Sequence, residues 1–357
     1  MNQKSKVLRT GYSAACRATA LVFLSIFAAG AGFAQTSAAP RVDYEYTGDI
    51  ALGAPAFNDY LTFDPKGHRL YIAHVDRITV IDVPTRTVVG SVGPFHDSHG
   101  IAIVSKLNKG YADSGDDGVV KVFGLTDLKI SKQIKVSVDA DGMVYDEHTG
   151  SVLVVAGDSK NLTVINPVDD TVSRIVELPG KPEFLDIDGA GNVFVNMVDT
   201  ASIIKVNIEK GKVEANWPMQ NCKAPHGLAF DAKSNRLFSG CADGRLVVLD
   251  ASDGRNVANL PIGEQSDGVS LDAHRRLVFT SNRPGTLTAI SIGSNDHFGV
   301  ARTLPTFFGG RNMTLDPETG ALFVAHGHMK IMSSVKDALN LRFGWDGIEV
   351  AIFEPRP

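Results

Sequence analysis

The chain is poor in cysteine, in tryptophan and in positive charge. It has 3 cysteines and 2 tryptophans in 357 residues. So few cysteines exclude a disulfide framework as the main source of stability, and a chain this long buries a large core without one. Lys and Arg number 35 against 40 Asp and Glu, a formal charge of −5. That balance argues against a nucleic-acid binder driven by overall basicity. No Gly-x-Gly-x-x-Gly and no Gly-Lys-Ser/Thr loop occurs, and there is no Gly-x-Ser-x-Gly elbow. The common phosphate cradles and the α/β-hydrolase nucleophile are therefore unsupported. Glycine is the residue in excess, at 35, and points to many turns.

Lys4, Lys6, Arg9 and Arg17 precede a charge-free apolar run from Ala18 to Ala34, with small residues Gly32 and Ala34 at its end. This is the three-part pattern of a secretory signal, with cleavage expected after Ala34. Residues 35–40 then read as a short linker and 41–357 as the folded domain. The mature chain keeps 31 Lys and Arg against 40 Asp and Glu, or −9. A periplasmic or secreted location follows as an expectation, with no membrane span after cleavage. Nucleic acid is not an expected partner.

One unit recurs along the rest of the chain. A short apolar strand ending in an acid appears as Leu61-Thr62-Phe63-Asp64, Met143-Val144-Tyr145-Asp146, Leu185-Asp186-Ile187-Asp188, Leu228-Ala229-Phe230-Asp231, Val269-Ser270-Leu271-Asp272 and Met313-Thr314-Leu315-Asp316. Ile101-Ala102-Ile103-Val104 fills the second place without the acid. The spacing is 40 to 44 residues throughout. Each copy continues with a second strand, a tight turn, a third strand and a more polar fourth. Four antiparallel strands at that period predict an all-β, seven-bladed β-propeller. Asp117-Gly118, Asp243-Gly244 and Asp346-Gly347 suggest type I′ turns. The last unit lacks a fourth strand, and the segment Asp43 to Ile50 is spare. The N-terminal strand is therefore expected to complete the last blade and close the ring.

These units resemble the YVTN repeats of the bacterial YncE-like family. The likeness rests on Leu70-Tyr71-Ile72-Ala73-His74 followed by Ile78-Thr79-Val80-Ile81-Asp82, and on Leu237-Phe238-Ser239-Gly240 followed by Leu246-Val247-Val248-Leu249-Asp250. It implies a seven-bladed propeller and leaves function open, because propellers host many activities. The family's usual Asn after the second strand is replaced by His74 and His326.

In such a ring the residues two places before each inner strand face one end of the central funnel, here the top. They are Asp59, His99, Asp141, Glu183, His226, Asp267 and Arg311, every one ionisable. His74, His96, His99, His326, His328 and Met329 gather on the same face, as an expected arc of ligands for a transition metal such as copper or zinc. Residues 327–346 form an insertion expected to be a lid or docking loop, with a short helical piece over 334–341. Cys222 and Cys241 fall on one blade, and export favours a disulfide between them. The repeated strand-end aspartates are assigned to turn capping, because every blade needs it equally. Two functions remain. The first is a binding or scaffold protein with a small-molecule, metal or protein ligand on the top face. The alternative is a metal-assisted hydrolase or lyase of the propeller lactonase type, with His99 or His226 as general base.

Overall fold

The computed structural model describes residues 42–331 and 343–356. The expected signal and linker lie outside them, as does the expected helical piece over 334–341. Among the described residues no helix is long and apolar enough to cross a membrane.

Among the described residues there are seven four-stranded antiparallel sheets, one per repeat. In chain order the innermost strands are Leu61–Asp64, Ile101–Val104, Ala140–Asp146, Pro182–Ile187, Pro225–Asp231, Ser266–Asp272 and Asn312–Leu315. Each touches the next, and the first touches the last, so the ring is closed. Blade seven takes its outermost strand from the N-terminus: Tyr44–Gly53 pairs antiparallel with Phe343–Pro355, with Tyr44 opposite Pro355 and Ile50 opposite Val350. The ring closes as its missing strand predicts.

The core is a set of layers between blades. Leu153, Val155 and Leu162 of blade three pack with Val193, Val195 and Ile204 of blade four, all essentially inaccessible to solvent. Leu70, Ile72 and Ile81 of blade one pack likewise with Phe323, Val350 and Ile352 of blade seven. Fully burying a side chain of this size contributes about 1.5–3 kcal/mol. The middle strands are apolar on both faces because a blade is covered on both sides. Outer strands such as Thr171–Glu177 alternate toward solvent.

The strand-end aspartates do what their repetition implies. Asp64, Asp146, Asp188, Asp231, Asp272 and Asp316 each accept a backbone N–H two or three residues on, from Lys66, His148, Ala190, Lys233, Arg275 and Glu318 at 2.8–3.3 Å. Two local expectations need correction. Type I′ turns require positive φ at both central residues. Only the glycine has it at Asp117-Gly118 and Asp243-Gly244 (φ 61° and 77°), and Asp346-Gly347 lies inside a strand. The insertion of blade seven is also partly regular. Its second and third strands, Leu322–Ile331 and Phe343–Pro355, run on as a longer hairpin with His328 opposite Gly347. The extra residues continue the pairing, with one register shift between His328 and Met329.

Candidate functional site

Each top-face ring residue stands at the entry of an inner strand, and in blades three to six the ladder is interrupted there. Ala140 pairs with Ala156, but the next pair is Met143 with Val154. The same skip surrounds Glu183, His226 and Asp267. Such bulges take a side chain out of the alternation and re-aim it. Here they turn an acid or a histidine toward the axis in four blades. The residue that follows is often glycine. A Cβ on Gly100 would stand 2.1 Å from the Asp141 carbonyl oxygen, and one on Gly227 would stand 2.4 Å from that of Asp267. Neighbouring inner strands approach so closely at this level that only glycine fits.

Blades one, four and seven depart from this rule. Blade seven carries Asn312 there, and blades one and four carry Tyr60 and Phe184, whose rings meet at 4.7 Å between centroids. They form a floor beneath the ionisable ring. A cavity of about 600 Å³ runs from Tyr60, Phe184 and Asp267 to turn residues Lys66, Lys106, Glu147 and Pro317 at the opposite end. It is walled mostly by apolar inner-strand side chains. It is the channel left by any ring of seven inner strands, and the ring of charge caps it.

The seven ring residues form one electrostatic unit. Nδ1 of His226 lies 2.8 Å from Glu183 Oε1 and 3.2 Å from Asp267 Oδ1. Arg311 Nε sits 3.2 Å from Asp267 Oδ2. Asn312 Nδ2 donates to Asp59 Oδ1 at 2.8 Å. His99 rests between Asp113, at 3.3 Å, and Asp97, at 3.5 Å. Burial alone would depress both histidines. The hydrogen bond His99 donates to Asp113 and the nearby carboxylates outweigh it for His99, as Asp267 and Glu183 do for His226, and each is lifted to about 10. Burial pushes Asp59 up to about 7, with Asp267 adding repulsion. Burial and the charges of Glu183 and Asp59 hold Asp141 well above the carboxylate range. Asp141 Oδ1 is buried and accepts no hydrogen bond.

The histidine arc is divided among separate partners. His74 is fully buried, with Nδ1 3.0 Å from Thr79 Oγ1 and Nε2 2.7 Å from the Pro55 carbonyl, so both its nitrogens are engaged. His96 is exposed and pairs with Asp117 at 2.9 Å. His99 belongs to the ring. His326 and His328 meet carboxylates of blade seven. The side chain of Met329 lies outside the described residues. Cys222 and Cys241 are joined, with an S–S distance of 2.02 Å.

Sequence reasoning missed Asp113, Tyr60 and Phe184. Asp113 is buried and also accepts the N–H groups of His99 and Gly100 at 3.0 and 2.6 Å. The usable signal lies one place after the ring. That column reads Tyr60, Gly100, Gly142, Phe184, Gly227, Gly268, Asn312, and its two aromatics stand out among glycines.

No family model matches the chain. Over 111 residues it is 28% identical to the protein called "Uncharacterized protein YncE" of Escherichia coli (strain K12), covering 29% of this chain and 31% of that one. The match thus spans about a third of the curated relative's length. Three solved structures share the architecture. A chain of Kuenenia stuttgartiensis hydrazine synthase superposes with a TM-score of 0.68 at 15% identity, over 81% of this chain and 96% of that one. The RRP9 WD40 repeats give 0.73 at 13%, over 88% and 100%. U3-55K gives 0.70 at 12%, over 89% and 100%. The fold is a WD40-like seven-bladed β-propeller. At these identities the solved structures speak to fold alone. The YncE match supports the YncE-like resemblance carried by the repeats.

Proposed function

We propose that this propeller is an exported binding or scaffold protein that takes a small, donor-rich ligand, a cationic amine foremost, at the top of its funnel. The observation that carries this reading is the convergence of seven ionisable residues on one opening. Four of them are acids, against two histidines and one arginine. Glu183 and Asp267 are matched by His226 and Arg311. Asp141 and one oxygen of Asp59 are left with acceptor capacity in a partly buried setting. Buried acceptors without donors cost free energy, which a ligand ammonium or hydroxyl group would recover. A polar ring above an aromatic floor is the form of a site that orients a small molecule.

The test is a thermal-shift panel of small amines, sugars and dicarboxylates on the wild type and on Asp141→Asn. Amines should raise the wild-type melting temperature and leave the variant where it was. Equal shifts in both proteins, or no shift with any class, would remove the proposal. A second reading, the metal-assisted hydrolase or lyase, is favoured by one observation. Glu183, His226 and Asp267 each offer a ligand atom, all within 4.8 Å of one another. Metal analysis of the wild type against His226→Gln tests it, with hydrolase and lyase assays following a positive result.

A further inference from the structure

A second group of histidines and carboxylates stands on blade seven, away from the funnel ring. Its residues come from three neighbouring strands. His326 and His328 are two apart on the second strand and so share a face. Glu349, on the third strand, is directly opposite His326. On the N-terminal strand Ala51 is opposite Glu349, so Asp49, two residues away, lies on that same face. Asp49, His326 and Glu349 each present a ligand atom within 4.8 Å of the others. His328 Nδ1 lies 3.3 Å from Glu349 Oε1.

The outer contacts prepare these atoms as ligands. His326 Nδ1 is 3.2 Å from the Gly327 carbonyl, so that nitrogen carries the proton and donates. The Tyr46 hydroxyl donates to Asp49 Oδ2. The Phe307 ring is stacked on the imidazole at 4.3 Å. In the neutral ring this leaves the lone pair of His326 Nε2 facing Asp49 Oδ1 at 3.3 Å. Two acceptors aimed at each other need a cation between them. A charge-assisted N–H···O bond would draw the atoms to about 2.7–2.9 Å. A tetrahedral ion with bonds of about 2.0–2.1 Å holds its ligand atoms about 3.3 Å apart. A ligating histidine whose other nitrogen donates to a backbone carbonyl is the usual outer-shell arrangement of such sites.

We propose that Asp49, His326 and Glu349 form a zinc-type metal site that clasps the N-terminal strand to the blade it completes, with His328 beside it between Glu349 and Asp346. An imidazole and two carboxylates suit Zn²⁺. Because Asp49 lies on the closing strand, occupancy stabilises the closed ring by mass action.

The test is calorimetric titration of the chelator-stripped chain with Zn²⁺, joined to melting curves with and without the metal. The wild type should bind one zinc per chain and melt higher when loaded. Asp49→Asn and His326→Gln should each weaken binding at least tenfold and abolish the melting shift, and His226→Gln in the funnel ring should bind as the wild type does. Asp49 is partly exposed on an outer strand, so its variant reports even if His326→Gln fails to fold. Absence of zinc binding, or binding unchanged in Asp49→Asn, would overturn the proposal and leave an imidazolium–carboxylate pair. Loss of binding in His226→Gln with retention in Asp49→Asn would move the metal to the funnel and overturn it equally.

Discussion

Single residues set the charge state of the funnel mouth. Asp59 is raised from the ordinary 3.8 to about 7. A carboxyl raised on folding binds its proton more tightly in the native state. Its ionisation therefore costs stability as pH climbs from about 4 to 7, and the full cost stands above 7. Asp59→Asn keeps an acceptor for Asn312 and removes that cost. The variant should be more stable than the wild type by about 1–2 kcal/mol at pH 8 and equal to it near pH 4, measured by urea unfolding at both. The histidines follow the same sign from the basic side. His226 is raised from 6.5 to about 10, so its stabilisation is complete below pH 6.5 and lost as pH rises through 10. The melting temperature of the wild type should fall more steeply between pH 8 and 10.5 than that of His226→Gln. Parallel curves would mean that His226 is not held protonated. The sequence placed both residues on this opening, because their position relative to the inner strand repeats. It could not reveal Asp113 as the partner of His99, because that contact depends on where the neighbouring strand lies in space.

At the scale of elements, the clearest sequence signals were those each blade must repeat. The strand-end aspartate was legible because the backbone N–H groups it accepts lie within four residues. Asp188 accepts the N–H groups of Ala190 and Asn192 at 2.8 and 2.9 Å. Asp188→Ala should cost about 1–2 kcal/mol, seen as a lower urea midpoint with unchanged slope. The single disulfide acts on blade five alone. It closes a loop of 19 residues, and Cys222→Ser with Cys241→Ser should lose about 3 kcal/mol. Reductant should lower the wild-type melting point toward that of the double variant and leave the variant unchanged. The hairpin of blade seven was less legible. Its length alone suggested a loop, whereas strand pairing continues until residue 331 and resumes at 343. The bulges that aim the ring were invisible too, since a bulge is a mismatch between two strands and neither strand shows it alone.

For the whole molecule, periodicity carried the fold. Seven units of 40 to 44 residues with a missing last strand leave one economical solution, a ring closed by the N-terminus. Burial follows that closure. Ile50 packs with Ile348 and Val350 in the layer between blades seven and one. Ile50→Ala should destabilise the protein by about 2–4 kcal/mol, and hydrogen exchange should quicken most in blade seven. Function was legible only as a place. The histidine arc looked like one ligand set because face and blade order were all the sequence offered, yet His74 is engaged by Thr79 and Pro55 and His326 by blade seven. The seven ionisable residues expected at the top face interact electrostatically, and the Tyr60–Phe184 pair lines the channel beside them. That ring is the proposed ligand site. Its most direct test is calorimetric titration of the amine that most raises the melting point, against the wild type and Asp141→Asn. Binding at one site per chain, weakened at least tenfold in the variant, is the predicted result; equal affinity in the two proteins, or no binding to the wild type, would contradict it.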